Sequence, residues 1–393
     1  MVQFCFAVLL FLPTLAAQTR SPLQLSLSDA VERALSPEGN ARIQIARELV
    51  RQAESRSVQA RGTLLPDISA AANFQNQTRN LAAFGIRPQI PVPGFLFPEF
   101  VGPFSTIDFR ATGGQTILDL SAMRRYKASR AGISVSRAEE ESARDQIAEQ
   151  VARIYLTAMR AEAAQESAKA NLALAEALSK LASDQKSAGT ATGLDTTRAE
   201  VQIANERQRL LIAGNERTRA HLQLARALGF QLDQSIELTD RLEYTPGDVA
   251  AQEEALASAM KSRADLKAQQ EREQVARLNF SAVRMERFPS LAGFGDYGTI
   301  GTSIGRTLPT RTVGISLRVP IFDGGRKDAR RAEAASQLRQ EEIRTRDLRE
   351  QADLEIRLAL DALRSAENQV KVAQEGLALA RNELGHARRR YEA

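Results

Sequence analysis

Gln115-Thr-Ile-Leu-Asp119-Leu120 and Val319-Pro-Ile-Phe-Asp323-Gly-Gly325 hold the same place in two copies of one pattern. Each closes a stretch of alternating residues and opens a long helical one. Upstream of the first, Ile107, Phe109 and Ala111 fall on one side, with Thr106, Asp108, Arg110 and Thr112 on the other. Upstream of the second, Val313, Ile315, Leu317 and Val319 alternate with Thr312, Gly314, Ser316 and Arg318. A period of two places such residues on opposite faces of a strand.

Each of these strands is preceded by another. Leu-Leu-Pro66-Asp-Ile leads into Ile68, Ala70, Ala72 and Phe74, which alternate with Ser69, Ala71, Asn73 and Gln75. Phe-Pro289-Ser-Leu leads into Leu291, Gly293, Gly295 and Tyr297. Proline removes a donor and biases its predecessor to extended backbone, so both helices end there. The strands are expected at about 66–78, 104–118, 289–298 and 311–322. The stretch Asn80–Pro103 carries five of the thirteen prolines and is expected to be neither helix nor interior strand. Thr299–Thr310 reads as a Gly/Thr-rich loop.

After the first strand pair comes a helical hairpin, about 119–229. Ile147, Val151, Ile154, Ala158 and Ala161 step by four and three, and Ala168, Leu172 and Ala175 keep the register past Gln165. That spacing is a left-handed coiled-coil seam, and an arm of this length reaches roughly 90–100 Å at the α-helical rise. The chain reverses at Gly189-Thr-Ala-Thr-Gly-Leu-Asp195 and ends the hairpin at Gly229, a helix C-terminal glycine. Glycine permits the tight reversal and a close backbone approach, and Asp195 is placed to cap the descending helix. The first repeat is thus 18–248. The second, 249–393, has its strand pair and one long helix, about 325–393, with Ile356, Leu360, Leu363, Val370, Leu377 and Leu384 at heptad-compatible spacing.

Residues 1–17 read as a secretory signal, an apolar run closed by small residues at Ala17, though no Lys or Arg precedes it. Cys5, the only cysteine, lies in that run, so disulfides, thiol catalysis and Cys-based metal sites are excluded from the mature chain. A membrane crossing would have to be a β-barrel. Four strands cannot close one, so several copies must share it, and three chains would give twelve strands. The 53 basic and 48 acidic residues are interleaved along helices as a solvated face, not gathered into a nucleic-acid patch.

Other signals reduce to plainer readings. Gly293-Phe-Gly295-Asp-Tyr-Gly298 fits a dinucleotide pattern but follows a helix and precedes a loop, the wrong setting. Gly324-Gly325-Arg-Lys327 is a helix start. His221 and His386 read as isolated, solvated histidines, and Glu139-Glu140-Glu141 and Glu341-Glu342 as charge lacing. No enzyme, metal or cofactor is expected.

The order helix, strand pair, long helix and return resembles the TolC-like outer membrane factor family, the trimeric exit ducts of efflux pumps and type I secretion systems. The most specific residues are Gly189, Asp195 and Ala199, in the Gly…Asp…Ala pattern of the family's helical tips. The two Pro strand entries and Val-Pro-Ile-Phe-Asp-Gly-Gly also match. The resemblance implies a mainly α fold with a small β part: a homotrimeric helical tunnel joined to a shared twelve-stranded barrel, in the outer membrane of a Gram-negative cell. It implies a periplasmic membrane-fusion adaptor and, through it, an inner-membrane transporter. Gly189, Thr192, Gly193, Leu194 and Asp195 would form part of the docking tip and aperture, and Asp108, Arg110 and Arg318 are read as facing the barrel lumen. The family's second tip and its descending helix would come after Ala393, so the second repeat reads as incomplete, with gaps expected in a tunnel built from residues 1–393 alone. Two other readings compete. A periplasmic coiled-coil adaptor or scaffold leaves the four strands unexplained, and an intracellular nucleic-acid-organising coiled coil leaves the signal unexplained.

Overall fold

The computed structural model describes residues 23–81, 83, 85, 100–244 and 252–392. The signal sequence with Cys5, most of the proline-rich loop and Thr245-Pro246-Gly247 lie outside them. The order of elements is β1 (Leu23–Leu25), α1 (Leu27–Leu35), α2 (Ala41–Gly62), β2 (Asp67–Asn80), β3 (Phe100–Leu118), α3 (Leu120–Ser187), α4 (Gly193–Ala227), β4 (Ile236–Leu238), α5 (Gln252–Ser262), α6 (Ala264–Met285), β5 (Ser290–Gly301), β6 (Thr307–Arg318) and α7 (Arg326–Glu392). They fall into two compact units, residues 1–45 with 143–247, and residues 46–142 with 248–393.

In the first unit the heptad reading holds over the ascending arm. Ile147, Val151, Ala158, Ala168 and Ala175 are buried, at the steps of three and four that the sequence sets. The descending arm answers with Ala220 and Leu224 at its base and, less expectedly, Glu206 higher up. Near the base of the hairpin, Tyr155, Ile43, Leu224 and Leu228 are fully buried. The Tyr155 hydroxyl donates to the Leu25 carbonyl at 2.9 Å, which ties β1 to α3. Burial pushes the phenol up to about 12, since the charged form has no water there. β1 pairs in parallel with β4 from Leu23↔Ile236 to Leu25↔Leu238. Ser26 begins α1 as its N-cap, with its hydroxyl bonded to Asp29, and Pro37-Glu38-Gly39 separates α1 from α2. Gly229, at φ +72, ends the hairpin so close to the other chain segment that a Cβ would lie 2.4 Å from the Gly39 carbonyl oxygen. No other residue fits there.

The second unit carries a four-stranded sheet of order β2-β3-β5-β6, antiparallel throughout. Its strands are longer than expected. β3 begins at Phe100 and runs through Pro103, inside the proline-rich stretch expected to be neither helix nor interior strand. The proline is tolerated because the β2–β3 register slips between Gln77 and Arg79, and β5 pairing starts only at Ile107. On the other side, β5 runs to Gly301 and β6 starts at Thr307, so the Gly/Thr loop shrinks to a short turn with a 3-10 segment at Ile304–Arg306. β6 ends at Arg318, earlier than expected, because Pro320 and the positive φ of Gly324 and Gly325 turn the chain into α7, where Asp323 accepts from the Lys327 amide at 3.0 Å. The helical stretch before Pro289 is two helices, α5 and α6, broken at Arg263, whose ψ is 117.

Charge lacing is what the Glu139-Glu140-Glu141 run does. Its members pair with Arg272, Arg47 and Lys267 on other helices of the unit. Among the described residues, no helix is long and apolar enough to cross a membrane and no cluster of metal-ligating side chains occurs.

Candidate functional sites: a helical tip and a two-faced sheet

The tip is built by a helix stop followed at once by a helix start. Gly189 takes φ +76, which lets the Thr190 amide donate back to the Gln185 carbonyl at 2.9 Å and closes the ascending arm. Thr192, at φ −96 and ψ 162, is then the N-cap of the descending arm. The sequence had given capping to Asp195. Asp195 instead sits three residues in and reaches back, its Oδ2 accepting from the Thr192 amide at 2.9 Å and from the Thr192 hydroxyl at 2.7 Å. The two residues lock each other, as in a capping box. The hydroxyl and amide of Thr192, with help from Arg198, hold the Asp195 carboxyl below the usual carboxylate range.

Gly189, Thr192, Gly193, Leu194 and Asp195 are all exposed and adjacent. Leu194 presents an apolar side chain to water. The expectation of close backbone approach at the tip glycines is not met within the chain, since a Cβ on Gly193 or Gly189 meets nothing within 4 Å. Gly189 is explained by its φ. Nothing among the described residues explains Gly193.

The sheet separates chemistry by face. Paired residues in neighbouring strands share a face, so the register can be read across all four strands. One face collects Ile68 and Phe74 of β2, Phe109 of β3, Tyr297 of β5 and Val313, Ile315 and Leu317 of β6, with Arg311 opposite Tyr297 as its charged member. All are exposed, Val313 by 85% and Ile68 by 78%. The opposite face carries Ser69 and Asn73, Thr106, Asp108, Arg110 and Thr112, Asp296, then Thr310, Thr312, Ser316 and Arg318, with Phe294, Ile300 and Leu308 as its apolar members. Both edge strands, β2 and β6, have an unpaired side.

The structure brings Asp108 and Arg110 together and adds two residues the sequence reading left out. Arg110 donates from Nε to Asp108 at 3.3 Å, from Nη1 to Asp296 and from Nη2 to Thr310 at 3.0 Å. Asp296 is the only charge on β5, which was a signal available in the sequence but hidden inside the glycine motif. Gly298, the last glycine of that motif, lies between Arg110 and Thr310 in one row of the sheet, where a Cβ would come within 2.4 Å of the Phe109 carbonyl oxygen. The glycines are therefore sheet packing, not a phosphate loop. Arg318, paired with Ser290 at the far end of β6, shares the face but stands apart from this network.

His221 departs from its expected role as a solvated histidine. Its Nε2 lies 2.9 Å from Glu162 Oε1 across the hairpin, and Arg217 donates to the same carboxylate at 3.3 Å. The arrangement is an ion-pair clasp between arms and holds no nucleophile or metal set.

The described outer membrane efflux protein family matches residues 34–230 and 255–393. Among solved structures, the CmeC outer membrane channel of Campylobacter jejuni superimposes with a TM-score of 0.76 at 17% identity, covering 88% of this chain and 72% of that one. VceC of Vibrio cholerae gives 0.75 at 18% identity over 93% and 85%. A membrane protein from Pseudomonas aeruginosa gives 0.76 at 20% identity over 93% and 83%. No curated protein matches the chain. At these identities the structural likeness speaks for the fold, while the family pattern runs through both sequence repeats and most of the chain. The chain belongs to the outer membrane efflux protein family and is an outer-membrane exit duct for efflux.

Proposed function

We propose that three copies of this chain share one twelve-stranded barrel in the outer membrane, with their coiled coils extending into the periplasm as a tunnel. The observation that carries this reading is the two-faced sheet with both edges open. An apolar face in water would cost about 25 cal/mol for every Å² left wet, and unpaired edges invite pairing with another chain. Burying the first in lipid and the second against neighbouring copies removes both costs. A periplasmic scaffold would leave that face wet, so the barrel is the better reading.

In this arrangement the polar face lines the lumen, with Asp108, Arg110 and Arg318 on it. No chemistry is catalysed. Energy comes from an inner-membrane transporter, and a membrane-fusion adaptor docks at the tip formed by Gly189, Thr192, Gly193, Leu194 and Asp195. Open space around Gly193 and the exposed Leu194 suit contact with another chain's helices.

The test is accessibility by face and by partner. Val313→Cys should be modified by a membrane-partitioning reagent and Ser316→Cys by an aqueous one, in a detergent-extracted trimer of native mass. A photo-crosslinker at Leu194 should capture the periplasmic adaptor. A monomer, or aqueous labelling of Val313→Cys at the rate of Ser316→Cys, would refute the barrel. Absence of a crosslink at Leu194, with the barrel intact, would refute only the docking tip.

A further inference from the structure

We infer that the network centred on Arg110 makes the barrel lumen prefer cations, with Asp108 and Asp296 setting the preference; this rests on the lumen reading given above. The three nitrogen positions of the guanidinium are all engaged. Nε meets Asp108, Nη1 meets Asp296 and Nη2 meets Thr310. Those partners lie on three strands, so the side chain is laid along the sheet instead of projecting from it. Gly298 keeps the row between Arg110 and Thr310 free of any side chain.

The charge count at this level is two carboxylates against one guanidinium. One carboxylate is left in excess, and the guanidinium is the member held down by its bonds. Asp108 Oδ1 is buried without a hydrogen-bond partner, so this oxygen of the carboxylate stays uncompensated after Arg110 is satisfied. Neighbouring positions on the same face, Asn73, Thr112 and Thr310, are uncharged, and Arg318 on that face stands at the far end of β6, away from this level. Three copies around one lumen would place three excess carboxylates at one height. A ring of one sign in a narrow aqueous passage concentrates counter-ions and repels co-ions. Small cationic solutes would therefore pass this level more readily than anions.

The full chain, reconstituted in planar bilayers under a KCl gradient, reads the preference as a reversal potential. Asp296→Asn should lower the cation-over-anion permeability ratio by about two- to fourfold, the effect of removing a unit charge roughly 10 Å from the ion path in salt water. Arg110→Gln should raise the ratio by a similar factor, because it uncovers both carboxylates. Opposite signs are the signature, since damage to the sheet would push both variants the same way. A ratio unchanged in Asp296→Asn, or moved in the same direction by both variants, overturns the inference. If Arg110→Gln does not assemble, the double variant Asp108→Asn with Asp296→Asn replaces it and must turn the preference toward anions. Aqueous labelling of Ser316→Cys separates the two readings. Labelling that reduces conductance with selectivity unmoved by Asp296→Asn sinks this inference alone, while no labelling sinks the lumen reading with it.

Discussion

Glu206 offers the sharpest test of how the hairpin is held. It is 3% exposed in the middle of the descending arm. Its Oε1 accepts from Gln202 Nε2 at 2.8 Å and from Arg209 Nη1 at 2.7 Å, while Oε2 is buried without a partner. Taking a carboxylate out of water costs several kcal/mol, and two charge-assisted hydrogen bonds return about 1.5–3 kcal/mol each. The sum is close to zero, and the orphaned oxygen alone accounts for about 1–3 kcal/mol against it. Glu206→Met keeps the length and removes the orphan, so it should stabilise the hairpin by about 1–2 kcal/mol. Glu206→Gln should destabilise it by about 1 kcal/mol, since an amide nitrogen with no acceptor replaces Oε2. Native-state amide exchange of residues 199–213 is the assay. The methionine variant should exchange about 5- to 30-fold more slowly and the glutamine variant about fivefold faster, at 1.4 kcal/mol per tenfold. Faster exchange in Glu206→Met would mean that the carboxylate is a net stabiliser and that the balance drawn here is wrong.

Three further outcomes are expected. Gly189→Ala must hold a Cβ residue at φ +76 and should lose about 1–2 kcal/mol of tip stability, whereas Gly193→Ala meets open space and should fold normally while losing adaptor-dependent efflux; circular dichroism with a transport assay separates the two. The Tyr155 phenol is raised by burial, so its contribution is complete below an unfolded pKa of about 10 and is lost as pH climbs toward about 12; unfolding midpoints followed across that window should fall, and Tyr155→Phe should abolish the fall at a cost of about 1 kcal/mol. Asp195 is shifted the other way, so its support for the tip is present above about 3.8, the ordinary carboxyl value, and is lost as pH drops through the lower folded value; exchange at Thr192–Arg198 should quicken in acid, and Asp195→Asn should remove that dependence.

What the sequence made legible followed from periodicity. Steps of three and four placed Ile147, Val151 and Ala158 in the seam, and alternation placed Phe109 and Arg110 on opposite faces, because both patterns repeat often enough to be read. Three-residue elements carry no such pattern. β1 and β4 pair through residues more than two hundred positions apart, and nothing local in Leu23–Leu25 announces it. Pro103 pointed to a loop because proline excludes ladder bonding, but a bulge in β3 at Gly102-Pro103, visible only through the pairing with β2, leaves it room. His221 reads as a surface residue by polarity, and Glu206 is one acidic residue among many until heptad position is weighed. Read by position, Glu206 stands seven residues from Ala213 and Ala199, on the seam. At the tip, the Gly…Asp spacing was legible and the division of labour was not, since Thr192 and Asp195 are both competent caps and only backbone dihedrals decide between them.

The pairing of β3 with β5 also dictates an order of events. β2–β3 and β5–β6 are each joined to their neighbour in sequence, but β3 meets β5 from Ile107↔Gly301 to Leu118↔Leu291, across the whole coiled-coil hairpin. Contacts that distant in sequence form slowly, while helical arms zip from local contacts. An emerging chain therefore completes its hairpin first and waits, with one ribbon's greasy face bare, until the second ribbon has been synthesised. For that interval the polypeptide is an aggregation hazard in transit. Until β5 arrives, the open edge of β3 must be kept from pairing with a second chain.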